Sequence, residues 1–205
     1  MRGQYAFKRQ LIDDNLIGIL PFALSRESVL ILTPKGKRLA VSLNPELHYA
    51  VTHPSKVSTS LVPHALMVQR GIITYHDKSI DFIAERQLAF TQLRKRPDAL
   101  IHFDGQATAL EMELSPKYRL RVYCILRHHI AMLMDNHYQH VLYCFDDEVT
   151  LDFYRRLFDT PAWPVVVYHR QHRRYRTKKS EAGEDLQFDP GPYRPNFSFR
   201  LLSDA

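Results

Sequence analysis

The sequence predicts an α/β fold, and three observations predict it. After residue 72, short β-branched runs alternate with amphipathic stretches of helical length. Residues 98–118 read as two short strands joined by a turn at Asp104-Gly105, the second running into a helix. His140 to Phe145 and Pro164 to His169 are continuous apolar runs, the second with three consecutive valines, which reads as a strand central in a sheet.

The elements follow in order. Arg9 to Gly18 reads as the end of a helix, with Leu11, Leu16 and Ile17 as its apolar residues. Ile19 to Leu24 is a strand, Ser25-Arg26-Glu27-Ser28 a turn, and Val29 to Leu32 a second strand. Thr33-Pro34-Lys35-Gly36 turns the chain, and Lys37 to Leu43 starts a helix. Residues 44–60 are rich in Pro, Ser, Thr, Asn and His, so a linker or ordered loop is expected. Leu61 to Arg70 reads as helix and Ile72 to His76 as a short strand. Ser79 to Leu93 reads as an amphipathic helix carrying Ile80, Phe82, Ile83, Leu88 and Phe90. Lys117 to His137 is a long helix, with Pro116 suited to its first turn. Val149 to Phe158 is a further helix. From 170 the chain is basic, then polar; the Pro-rich stretch Asp189 to Asn196 precedes a last strand, Phe197 to Leu202.

At 205 residues the chain suits one domain with a proper core, or one domain plus a small appendage. The formal net charge is +6 and the sequence pI near 9.3, which favours an acidic partner. Two cysteines, Cys124 and Cys144, sit in apolar surroundings and read as reduced core residues. With neither a signal peptide nor an apolar run of membrane-spanning length, a soluble cytoplasmic protein is expected.

The chemistry concentrates in Arg96-Pro97-Asp98-Ala99-Leu100 and Leu110-Glu111-Met112-Glu113-Leu114-Ser115-Pro116-Lys117. Side chains alternate across a strand, so Glu111 and Glu113 share a face. Asp98 on the neighbouring strand completes a cluster of hard oxygens of the kind divalent metals take, and Lys117 is placed to face a phosphate. The bland reading of the same residues is a solvated strand face and a lysine that merely opens a helix.

This order of helix, strand with Pro-Asp, strand with Glu-x-Glu and helix with Lys is similar to the PD-(D/E)xK nuclease superfamily. Together with Ala84-Glu85-Arg86-Gln87-Leu88, the Leu32 to Gly36 turn and His64-Ala65-Leu66, it resembles the replication-relaxation and plasmid-mobilisation proteins, over roughly residues 10–170. The resemblance implies a restriction-endonuclease-like mixed sheet flanked by helices over 59–205, with a basic C-terminal extension. A truncated winged-helix element and linker over 1–58 would precede it. It also implies Mg²⁺ or Mn²⁺ held by Glu85, Asp98, Glu111 and Glu113, with Lys117 completing the catalytic set. The sequence departs from the strict motif at the lysine, whose place falls on Glu113 or Ser115, so Lys117 would substitute from the helix.

A second candidate is the run His169 to Lys179, which carries Arg170, Arg173, Arg174, Arg176, Lys178 and Lys179 around Tyr175. Arginine and lysine neutralise phosphates and a tyrosine stacks on an exposed base; a solvated basic loop is the plain alternative. Arg94, Lys95 and Arg96 precede Asp98, and Arg119 follows Lys117, so these groups would make a phosphate-binding face beside the carboxylates. His128-His129 face different directions on a helix, and no cysteine pair supports zinc. No glycine-rich phosphate loop occurs.

The resulting expectation is a DNA-binding accessory protein of conjugative-plasmid or integrative-element transfer, working with a relaxase or other transfer proteins, with a homodimer possible. The alternatives are an active Mg²⁺-dependent endonuclease, and a replication or transcription regulator that only binds DNA.

Overall fold

The computed structural model describes residues 2–21, 28–45, 59–77, 79–88 and 93–202. They form two compact units, residues 1–63 and 64–205.

In the first unit, helix α1 (Arg2–Asp13) is followed by strand β1 (Ile17–Pro21), strand β2 (Ser28–Leu32) and helix α2 (Pro34–Leu43). The two strands pair antiparallel from Ile17↔Leu32 to Pro21↔Ser28, so the expected hairpin forms. Its basic tip around Arg26 lies outside the described residues.

The Thr33-Pro34-Lys35-Gly36 stretch is not a free turn but the start of α2, and each residue has a task. Thr33 is the N-cap, its hydroxyl oxygen accepting from Gly36 N–H at 3.0 Å. The same hydroxyl donates to Asn15 O at 2.5 Å, and Thr33 N–H donates to Leu16 O at 3.0 Å. Pro34 fills the first helical turn, where its missing N–H is harmless. Lys35 Nζ donates to Asp14 O at 2.8 Å, just past the end of α1. A Cβ on Gly36 would lie 1.8 Å from Leu16 O, so only glycine lets the helix come this close.

The second unit is built on a five-stranded mixed sheet. Its strands are β3 (Ile83–Ala84), β4 (Ala99–Phe103), β5 (Gln106–Glu113), β6 (His140–Phe145) and β11 (Phe197–Leu201), in spatial order β11-β6-β5-β4-β3. β3, β4 and β5 form an antiparallel meander; β6 and β11 add parallel to β5. The β4–β5 turn is the two-residue Asp104-Gly105 read from the sequence, with φ of 49° and 75°, the doubly left-handed geometry that matches strand twist. The parallel β5–β6 pair needs a crossover, which helix α5 (Arg119–Met134) supplies.

Side-chain alternation sends the sheet's two faces into two cores. Leu110, Met112, Ile101 and Leu142 pack with Met67 and Ile72 of helix α3 (Val62–Tyr75). Ala109, Val141, Tyr143 and Phe145 pack with α5 and with helix α6 (Glu148–Phe158), joined by Trp163 and Phe197. Every β5 residue from Thr108 to Glu113 is buried, as expected of a strand covered on both faces.

Three sequence readings are corrected here. Ile72 to His76 is not a strand: α3 runs on to Tyr75, because Ile72 belongs to the stripe that buries Met67. Ser79 to Leu93 is not one helix. Residues 83–84 pair with β4 and only Glu85–Leu88 (α4) is helical, while 89–92 lie outside the described residues. Pro164 to His169 is not a central strand. It splits into β7 (Trp163–Pro164), paired with β10 (Gln187–Phe188), and β8 (Val166–His169), paired with β9 (Arg174–Thr177) in a separate ribbon.

Candidate functional site

The site forms where β4 begins and β5 ends. Ala99 pairs with Leu110, so one further step along the ladder sets Asp98 opposite Glu111. Asp98 is tied into the meander through its own N–H, which donates to Leu110 O at 3.0 Å, and through Oδ2, which accepts from Met112 N–H at 2.7 Å. Glu111 and Glu113 lie on the α5 side of the sheet, beside Tyr143 and Phe145 of β6. Both side chains are 3% exposed.

Two carboxylates this deeply buried require charge compensation, and the chain supplies it. Lys95 Nζ donates to Glu111 Oε1 at 2.6 Å. His129 Nε2 stands 3.2 Å from the same oxygen, poorly aligned for a hydrogen bond, and its Nδ1 is 2.7 Å from the Tyr138 hydroxyl. Lys117, four residues after Glu113 in the loop that precedes α5, ion-pairs with Glu113 Oε1. His64 Nε2 from α3 stands 3.3 Å from Asp98 Oδ2 and 3.1 Å from Met112 O. Each of the three carboxylates therefore has its own protein cation or histidine.

The ionisation pattern follows. Burial pushes Glu111 up, but Lys95, and then His129, outweigh it and hold its carboxyl at about 2. Burial raises Glu113 above the usual carboxylate range; Lys117 opposes this, and neighbouring Glu111 and Asp98 add to it. Burial keeps His129 neutral, with its basicity lowered despite Glu111. His64 is raised, first by its bond to Asp98. Tyr143 and Tyr154, buried beside the same carboxylates, stay protonated.

A Mg²⁺ ion takes free carboxylate oxygens in near-octahedral order; one oxygen of each carboxylate, Asp98 Oδ2, Glu111 Oε1 and Glu113 Oε1, is committed to a neighbour. Among the described residues no group of three or more His, Cys, Asp or Glu side chains is set to hold a metal. Glu85 opens α4; its backbone N–H donates to Asp98 O at 3.1 Å while its side chain is exposed.

Of the basic residues, Lys95 is spent on Glu111, and Lys179 pairs with Asp185 at 2.7 Å. Arg94, Arg96 and Arg119 are exposed, Arg119 with its guanidinium 5.7 Å from the Tyr123 ring. Arg170, Arg173, Arg174, Arg176 and Lys178 are exposed, on or beside the β8–β9 ribbon. Tyr175 is half-buried and packs on Tyr168, ring centroids 4.9 Å apart, so the more exposed aromatic of the ribbon is Tyr168.

Sequence reasoning gave His64, His129 and Tyr138 no place beside the carboxylates, His64 entering only through the resemblance, and gave Lys95 to the phosphate face instead. One signal was available. Val122, Leu126, His129 and Leu133 follow helical spacing, which puts His129 in the buried stripe of α5 and leaves His128 outside it.

Comparison with protein-family models, with curated proteins and with solved structures finds no match to this chain. Among the described residues no helix is long and apolar enough to cross a membrane.

Proposed function

We propose that this chain is a DNA-binding protein whose nuclease-like core has had its carboxylate centre neutralised from within. The observation that carries the reading is the pairing of Glu111 with Lys95 and His129, and of Glu113 with Lys117. A lysine ammonium stands at one oxygen of each glutamate, Lys95 at Glu111 and Lys117 at Glu113, where a phosphate-cleaving metal would draw its ligands. Around it Arg94, Arg96 and Arg119 remain in solvent. The order Asp98, Glu-x-Glu, helix is realised on an antiparallel meander followed by a parallel crossover, which supports a PD-(D/E)xK-like origin. The β1–β2 hairpin beside α2 supports a winged-helix relative in the first unit. The sequence resemblance directs the work to plasmid or integrative-element transfer, as an accessory factor that meets a relaxase or other transfer proteins at DNA.

Such binding rests on phosphate neutralisation and must therefore weaken with salt. Titration of a fluorescent duplex at several salt concentrations should give a log–log slope of about −4, corresponding to roughly four phosphate contacts. Failure to bind duplex DNA at low salt, or binding with no salt dependence, overturns the DNA-binding reading.

A further inference from the structure

We infer that the β8–β9 ribbon inserts into the major groove of duplex DNA, with Arg170 and Arg173 at its tip as the leading contacts. The inference rests on the DNA-binding reading above and assigns its contact element. No acidic residue occurs between Asp159 and Glu181. Among the described residues, Arg170, Arg173, Arg174 and Arg176 make no ion pair, whereas Lys179 just beyond them does. Four exposed guanidiniums therefore share one hairpin whose charge the protein leaves uncompensated.

The geometry suits a groove. The pairs Val167↔Arg176 and His169↔Arg174 share one face of the ribbon; Tyr168↔Tyr175 share the other, which packs toward α5 through half-buried Tyr175. A two-stranded ribbon is about 5 Å across its backbones. A B-form major groove about 12 Å wide and 8.5 Å deep admits it with its side chains. Arginine forks match both phosphate oxygens and the O6/N7 edge of guanine. An A-form RNA duplex has a major groove too narrow for such a ribbon. A single-strand platform needs open aromatic faces, and here the two tyrosines turn towards each other.

The tip itself carries strain. Arg173 has φ 47°, in the left-handed region that favours glycine or asparagine, and its N–H closes a turn onto Arg170 O at 3.3 Å. An arginine held there spends backbone energy on placing a guanidinium at the apex. This gives a test in which folding and binding separate. Arg173→Gly relieves the strained φ while removing the charge, so the variant should melt no lower than the wild type.

The experiment compares wild type, Arg173→Gly and Arg170→Ala/Arg173→Gly on a DNA duplex, on the same sequence as single strand, and on an RNA duplex. Wild type should prefer the DNA duplex. The double variant should bind it at least about tenfold more weakly, with the salt slope flattened by about 2. Wild-type duplex binding unchanged in both variants overturns the ribbon assignment and leaves the DNA-binding reading standing. Equal binding to single strands that is lost in Tyr168→Ala, or preference for the RNA duplex, also overturns it. No binding to any DNA overturns both readings.

Discussion

Replacing Lys95 with methionine should destabilise the second unit by about 3 kcal/mol at neutral pH, the usual penalty for stranding a buried charge. Lys95 Nζ is 2.6 Å from a glutamate side chain that is 3% exposed. Methionine keeps most of the packing length and removes the charge. The remaining neighbour of Glu111 Oε1, His129, is kept neutral by its own burial. In a chain of 205 residues the loss corresponds to a fall in Tm of roughly 10 °C. Trp163 is the sole tryptophan, lies fully buried in this unit, and reports the transition by fluorescence.

The pH dependence separates this cause from lost packing. In the wild type the Glu111 carboxyl sits at about 2, below its ordinary value of 4.5. Its contribution is complete above 4.5 and disappears as pH falls towards 2. Without Lys95, burial dominates and raises the proton affinity of the Glu111–His129 pair, so the deficit is largest at neutral pH and shrinks on acidification. Glu111→Gln added to Lys95→Met should restore most of the loss, since no charge is then left behind. A deficit that is independent of pH, or a double variant as unstable as the single one, contradicts the assignment of Lys95 as the counter-ion.

Gly36→Ala is expected to disrupt the first unit more than any helix-propensity argument allows. Alanine ordinarily favours a helix over glycine by about 1 kcal/mol. Here the added carbon would fall 1.8 Å from Leu16 O and 2.8 Å from Leu16 C, backbone atoms that cannot rotate away. α2 must back off from the α1–β1 junction. That breaks the Thr33 N–H to Leu16 O bond and the Lys35 contact to Asp14 O together. The cost is about 3 kcal/mol, at the upper end for overpacking. Amide exchange should show protection lost across β1, β2 and α2; unchanged protection there would refute the close approach.

Much of the second unit was legible because its signals are local. Asp104-Gly105 fixes a two-residue turn, and the strand–helix–strand order from 99 to 145 follows from periodicity and turn chemistry alone. Legibility ended where tertiary contact overrode the local pattern. Gly71-Ile72-Ile73 reads as the entry to a strand, yet burial of Ile72 beside Met67 carries the helix through it. The β9 strand was invisible because an arginine-rich run has no apolar alternation; its partner β8 and the turn at Arg173 define it. At the site, Asp98, Glu111, Glu113 and Lys117 came from spacing within one meander and the loop after it. His64 and His129 arrive from separate helices, α3 and α5, and no spacing rule announces contacts such as the one between His64 and Met112, 48 positions apart. Lys95 was visible, but its proximity to Asp98 in sequence said nothing about its reach to Glu111 on the neighbouring strand.

The claim that this centre is compensated from within, and serves binding instead of cleavage, is tested most directly on supercoiled plasmid with Mg²⁺ or Mn²⁺. Nicking and mobility shift are followed together for the wild type and for Asp98→Ala and Glu113→Ala. The expected result is salt-sensitive retardation of the plasmid with no nicking in either metal. Metal-dependent nicking by the wild type, abolished in both variants, would contradict it and make the carboxylates a working nuclease centre.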